Sequence, residues 1–218
     1  MKNSFNQTEY GRMQEKADVY VYVARLPSEL AVLPLYPKAR NEEVRAVKNE
    51  RLRRQKYYAW KLLEYALQDA FGDNFFDLDF QKEDGGKWTS SKRCFSLSHS
   101  RNALAVAVAN EPVGVDVEWQ NSEKSVAMER GLTELEKAEL KSVLPPERTA
   151  YLTDKWVAKE SIFKLAGKGR FVPSKIAETD AVLTKGQIAV CGEEYSLAVA
   201  TEKKVCVKVI ERVDLAQI

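Results

Sequence analysis

The run Lys155-Trp-Val-Ala-Lys-Glu-Ser-Ile-Phe-Lys-Leu-Ala-Gly-Lys-Gly169 decides how the chain is to be read. Glu160 and Lys164 stand four residues apart with Lys159 beside them, and on a helix that spacing sets an anion and a cation on one face. Trp156, Ile162, Phe163 and Leu165 supply apolar contacts, and Gly167 and Gly169 a stop, so a helix is predicted from about Glu147 to Leu165. Upstream, Pro112-Val-Gly-Val-Asp-Val-Glu118 reads as a buried strand that carries Asp116 and Glu118 on one side. Three carboxylates on two such elements could share a divalent cation. A hard ion such as Mg²⁺ takes oxygens from one or a few carboxylates and completes its shell with water and phosphate oxygens, while lysines hold the remaining phosphate charge. Phosphate-ester chemistry is the first expectation.

Working outward, Val19 to Ala24 has the β-branched and aromatic content of a strand, after a polar start expected to be frayed over about twelve residues. Leu62, Leu63, Ala66, Leu67 and Ala70 recur at helical spacing within a long helix from about Asn41 to Phe71, broken near Arg51. A short strand is expected at Asp77 to Phe80, a turn at Asp84-Gly85-Gly86, a strand from Cys94 to Leu97 that delivers Ser98 and His99 to its end, and a strand from Leu104 to Ala109. Thr133 and Glu136 form the Thr-x-x-Glu pattern of a capping box for a helix to Leu144. Three β-like runs close the chain at Ala181 to Leu183, Tyr195 to Ala200 and Val205 to Ile210, separated by Lys185-Gly186 and Glu202-Lys203-Lys204, and read as an antiparallel meander.

With 218 residues, 44% of them hydrophobic, the chain can bury one substantial core or two small ones. Nothing apolar is long enough to span a bilayer, and the first ten residues lack the apolar centre of a signal peptide, so no membrane partner is expected and the cytoplasm is the default compartment. Cys94, Cys191 and Cys206 are widely separated, which indicates neither a disulfide framework nor a zinc ribbon. His99 is the only histidine and excludes a multi-histidine zinc site; the missing Gly-x-Ser-x-Gly elbow disfavours a serine hydrolase. Between Lys38 and Lys61 lie Arg40, Arg45, Lys48, Arg51, Arg53, Arg54 and Lys56, opposed only by Glu42, Glu43 and Glu50. This run is either a solvated helix face or an anion-binding surface. Nucleic acid is disfavoured as its target, because the net charge is only +2 and the carboxylate set would have no role.

Phe95-Ser-Leu-Ser-His-Ser100, then Gly114-Val-Asp-Val-Glu118, then Trp156-x-x-Lys-Glu-Ser-x-x-Lys164 followed by Gly-Lys-Gly169 is an order of motifs that resembles the 4′-phosphopantetheinyl transferase superfamily, in its longer, pseudo-dimeric, surfactin-synthetase-activating type. The resemblance runs from about Phe95 to Gly169. It implies an α+β fold of two similar subdomains, each a long helix packed on a small, mostly antiparallel sheet, related by a pseudo-twofold axis with the substrate site between them. The faint echo of Phe95-Ser-Leu and Leu104-Ala-Val-Ala-Val-Ala in Tyr195-Ser-Leu-Ala-Val-Ala fits, and Pro112 marks the boundary between subdomains 1–111 and 112–218.

The activity implied is Mg²⁺-dependent transfer of the 4′-phosphopantetheine arm of coenzyme A to a serine of an apo acyl or peptidyl carrier protein, with Mn²⁺ as a possible substitute and a monomer as the default state. Asp116 and Glu160 are implied as the principal metal ligands, with Glu118 direct or through water. Glu160 would accept the serine proton, and Lys164 would contact the phosphates. Ser98, His99 and Lys87 are implied coenzyme contacts, and Arg53 and Arg54 are candidates for an N-terminal phosphate-binding arginine. Lys159 matches the family's pattern, but adjacent helical residues point about 100° apart, so phosphate binding and helix packing are both open to it. Trp88 stands where the family usually has Pro after Gly-Lys, Arg101 where it usually has Gly, and Val157 where a small hydroxyl residue is commoner. The bland alternatives are acids on a half-exposed strand, an ordinary intrahelical salt bridge and a satisfied structural histidine. The rival function is a noncatalytic coenzyme A or carrier-binding protein of the same fold.

Overall fold

The computed structural model describes residues 17–31 and 33–215, so the polar start of the chain lies outside the described residues. In chain order the first half contains β1 (Val19–Arg25), α1 (Lys38–Arg45), α2 (Glu50–Phe71), β2 (Gln81–Lys82), β3 (Trp88–Thr89), β4 (Cys94–Ser100) and β5 (Ala103–Ala109). Next come β6 (Val113–Trp119), α3 (Ser125–Arg130), α4 (Glu134–Leu140), α5 (Arg148–Ala166), β7 (Val182–Val190), β8 (Glu193–Thr201) and β9 (Val207–Val213).

β5 shows how the layers stack. Its alternating sequence puts Leu104, Val106 and Val108 on one face and Ala103, Ala105, Ala107 and Ala109 on the other, and both faces are buried. The larger side chains meet α2, which brings Tyr57, Trp60, Leu62, Leu63 and Leu67 down at helical spacing. Trp60 is fully buried, edge-on to Phe95, Trp88 and Phe75. The alanine face, together with Val19, Val21 and Val23 of β1, packs on Val113, Val115 and Val117 of β6 and on Tyr195, Leu197 and Val199 of β8. The first sheet has the order β4-β5-β1-β9 and the second β6-β8-β7. α5 covers the far face of the second sheet through contacts with β6 and β8. The fold is therefore mixed α+β, with a long helix on the outside of each of two facing sheets.

Local chemistry sets the boundaries. The Asn49 side chain caps α2 by accepting a hydrogen bond from Leu52 N, and Gly72 ends the helix in the left-handed region at φ 67°. The break in the predicted 41–71 helix thus falls at 46–49, just before Arg51. The capping box of Thr133 and Glu136 forms as expected, and Gly167, at φ 72°, caps α5.

Three expectations need correction. The strand expected at Asp77 to Phe80 is a 3₁₀ turn at Phe75–Asp77, because the Asn74 carboxamide accepts from Phe76 N and starts a turn instead. Lys185-Gly186 lies inside β7; the reversal is at Cys191-Gly192, where positive φ values of 56° and 76° make the two-residue hairpin turn. The last run does not extend a meander. β9 crosses back to lie parallel to β1 at the edge of the first sheet, where Val207 packs toward the second sheet and Ile210 and Val213 toward the α2 side. Finally, α3 carries no clear sequence signal and was not expected. No helix among the described residues is long and apolar enough to cross a membrane.

Candidate active site

α5 and β6 touch backbone to backbone at Gly114. A Cβ there would stand 1.9 Å from the Ser161 carbonyl oxygen and 2.7 Å from Leu165 N, so only glycine permits the approach. That contact brings Asp116, two residues along β6, under the last turns of α5. The Lys164 ammonium lies 2.6 Å from Asp116 Oδ1, 3.2 Å from the Val115 carbonyl and 3.7 Å from Glu160 Oε2. Asp116 and Glu160, 44 residues apart in sequence, thus share one cation.

Burial and then the charge of Asp116 push the Glu160 carboxyl up to about 7, with Lys164 opposing the rise. Glu118 turns the other way along β6, and its Oε1 accepts from Lys124 at 2.8 Å and from the Ser100 hydroxyl at 2.7 Å. Among the described residues no three Asp, Glu, His or Cys side chains close into a cage for a metal ion. The donor set fits a divalent cation in an open form: two crowded carboxylates with a third adjacent and fewer positive charges than negative, as suits an ion that keeps water and takes phosphate oxygens from a substrate.

A cleft of about 380 Å³ opens beside these groups, along the edge of β4 between α2 and the end of α5. Lys56, Lys87, Lys164, Lys168 and His99 reach it, and Trp88, Phe95, Leu97 and Phe163 give it apolar walls. Lys87 donates to the Lys164 carbonyl at 3.0 Å, tying the β2–β3 ribbon to the C-terminus of α5. Burial, followed by the nearby Lys164 charge, lowers His99 to about 4, so its imidazole is neutral at physiological pH. Arg40 lies 4.8 Å over the Trp60 ring and pairs with Glu43, which also accepts from Trp88 Nε1 at 2.7 Å. Burial pushes the Glu43 carboxyl up, yet the Trp88 hydrogen bond and the charges of Arg40, Lys82 and Lys56 outweigh it and hold the group at about 2.

The structure brings Asp116, Glu118, Glu160, Lys164, His99 and Lys87 to one region. Ser98 lies beneath it, buried against Asp116. Of the two roles open to Lys159, phosphate binding and helix packing, the structure shows the packing one. Only 1% exposed, it points away from the cleft and holds Glu136 at 2.9 Å and the Pro173 carbonyl at 3.1 Å. Arg53 and Arg54 do not line the cleft; Lys56, one turn further along α2, does. The charge run drew attention to that segment, but only the helix's packing selects the residue. Lys168, read as part of a helix cap, also lines the cleft, and Lys124 had no signal beyond its charge. Arg101 occupies φ 48°, the backbone setting in which glycine is usual, and compensates by pairing with Glu193 at 2.6 Å and stacking 3.5 Å over Trp119.

Paired carboxylates and lysines beside a basic cleft are groups whose chemistry suits a phosphate ester. Residues 112–215 match the model of the 4′-phosphopantetheinyl transferase superfamily. Over 79 residues the chain is 33% identical to a 4′-phosphopantetheinyl transferase of Bacillus subtilis, covering 36% of this chain and 35% of the relative. It is 30% identical over 106 residues to the 4′-phosphopantetheinyl transferase gsp of Aneurinibacillus migulanus (49% and 39%). With the ffp transferase of Bacillus subtilis it shares 28% over 115 residues (51% and 51%). The matched stretches span about half or less of these relatives' own lengths.

Proposed function

We propose that this chain is a 4′-phosphopantetheinyl transferase that moves the phosphopantetheine arm of coenzyme A to a serine hydroxyl of an apo carrier protein. The convergence of Asp116, Glu160 and Lys164 at the head of a basic cleft is the observation that carries this reading. In the reaction the serine oxygen forms a bond to the pantetheine-side phosphorus of the pyrophosphate. The bond from that phosphorus to the bridging oxygen breaks, and adenosine 3′,5′-bisphosphate leaves with the oxygen and the electron pair.

Glu160 takes the serine proton, directly or through water. Burial and the charge of Asp116 raise its proton affinity in the ion-free site, which favours a role in taking up a proton. Lys164 offsets charge on the transferred phosphoryl group, and Lys87, Lys56 and Lys168 face the remaining phosphates across the cleft. His99 offers its neutral imidazole N–H to the coenzyme's 3′-phosphate region. Asp116 and Glu160, with Glu118 direct or through water, are the residues that would hold Mg²⁺, or Mn²⁺ in its place. When bound, such an ion neutralises the pyrophosphate and polarises the scissile bond.

On this reading the two helix-on-sheet units, residues 1–111 and 112–218, are subdomains related by a pseudo-twofold axis, with β9 lent from the second to the first sheet. Both walls of the cleft come from one chain, so a monomer suffices. The test is the intact mass of apo carrier proteins after incubation with the chain, coenzyme A and Mg²⁺. A gain of one phosphopantetheine, prevented by a chelator, is expected; no gain on any carrier, despite binding of coenzyme A, would overturn the reading in favour of a noncatalytic binder.

A further inference from the structure

β4 presents Ser96, Ser98 and Ser100 on one face, toward the free edge of β6, whose other edge is paired with β8. Their hydroxyl oxygens accept from Val115 N at 3.0 Å, Val117 N at 3.2 Å and Trp119 N at 3.1 Å. The three side chains therefore stand where the carbonyls of a neighbouring strand would stand, and they satisfy an edge that would otherwise be buried without partners. Two of them also donate. Ser98 Oγ gives its proton to Asp116 Oδ1 at 2.6 Å, and Ser100 Oγ to Glu118 Oε1 at 2.7 Å. The place opposite Ser96, eighteen residues on in each case, is Gly114, which has no side chain.

Each donating hydroxyl is buried, with one side committed to a backbone N–H, so its proton is fixed in direction and fixes the carboxylate oxygen that accepts it. We infer that Ser98 and Ser100 are positioning residues that hold Asp116 and Glu118 in the orientation needed to ligate the divalent cation, and that they are not contacts to coenzyme A. The inference rests on the transferase reading for what those carboxylates hold. Ser96 supplies the comparator within the molecule: it makes the same bond between sheets and touches no carboxylate.

The experiment measures Mn²⁺ affinity by electron paramagnetic resonance, coenzyme A affinity by calorimetry in chelator, and Tm, for the unmodified chain and for Ser96→Ala, Ser98→Ala and Ser100→Ala. All three variants should lose similar Tm. Only Ser98→Ala and Ser100→Ala should weaken Mn²⁺ binding, by about tenfold or more, with coenzyme A affinity unchanged. Ser100→Thr, which keeps the hydroxyl, should retain Mn²⁺ affinity, and it carries the test if an alanine variant does not fold. The inference fails if Mn²⁺ affinity follows Ser96→Ala in both variants, or if Ser98→Ala loses coenzyme A while keeping Mn²⁺. An unmodified chain that binds coenzyme A and no Mn²⁺ would overturn the metal reading itself, and the positioning role with it.

Discussion

α2 and α5 each cover one sheet, but they bury different chemistry. α2 lowers an aromatic and aliphatic face, Tyr57, Trp60, Leu62, Leu63 and Leu67, onto the larger side chains of β1 and β5. α5 buries Thr153, Lys159 and Ser161 among its apolar residues and lies on the face of β6 that carries Gly114, Asp116 and Glu118. The difference teaches that one helix is shaped by its core and the other by its site. Within α5 the division repeats between two lysines. Five residues apart they sit about 140° apart around the axis, and one is sealed against Glu136 while the other reaches the carboxylates at the cleft.

The largest expected effect breaks that division at the sealed lysine. Lys159→Met leaves the buried Glu136 carboxylate and two carbonyls without their ammonium, and should cost about 3–5 kcal/mol in urea denaturation. Lys164→Met, with a more exposed ammonium, should cost less stability and stop transfer. Equal losses of stability in the two variants would erase the distinction between structural and site lysine. Next comes the contact between helix and sheet: Gly114→Ala forces α5 off β6 and should lower stability by about 3 kcal/mol, the upper end for overpacking, while transfer falls further as Glu160 leaves Asp116. An alanine variant of native Tm would show that the close approach is not needed.

The α2 side is sharpened by acid. Because Glu43 is held at about 2 against an ordinary 4.5, its contribution is complete above pH 4.5 and is lost as pH falls from 4.5 toward 2. Glu43→Gln should therefore flatten the stability-versus-pH curve in that window and leave neutral pH dependence alone. The smallest effect is at Arg101. Glycine there relieves a left-handed backbone worth roughly 1 kcal/mol but gives up the Glu193 pair and the Trp119 stack, so Arg101→Gly should change stability by less than about 1 kcal/mol.

Legibility in the sequence followed the same divide. Apolar spacing located α2, because burial of one helix face leaves a periodic trace, and runs of β-branched, aromatic and small apolar residues located β1, β5 and β6, which are buried along nearly their whole length. Asp116, Glu118, Glu160 and Lys164 stood out as a set through the resemblance of their motifs to the 4′-phosphopantetheinyl transferase superfamily, since by spacing alone Glu160 and Lys164 pass for an ordinary intrahelical salt bridge and Asp116 and Glu118 for acids on a half-exposed strand. Lys159 stayed open between phosphate binding and packing, since its partners, Glu136 and the Pro173 carbonyl, lie on other segments of the chain. β9 was placed in the wrong sheet because pairing partners are nonlocal and Val207 to Val213 suits either edge. The choice of Lys56 over Arg53 and Arg54 depends on how α2 is rotated against β4, which no local pattern encodes.

The most direct test of the account compares the unmodified chain with Glu160→Gln, following holo-carrier formation by intact mass alongside a melting curve. The account predicts a folded variant whose transfer rate falls by about 10²-fold or more, since the base is removed and the shape kept. A folded Glu160→Gln protein that loads carrier at the unmodified rate would contradict it.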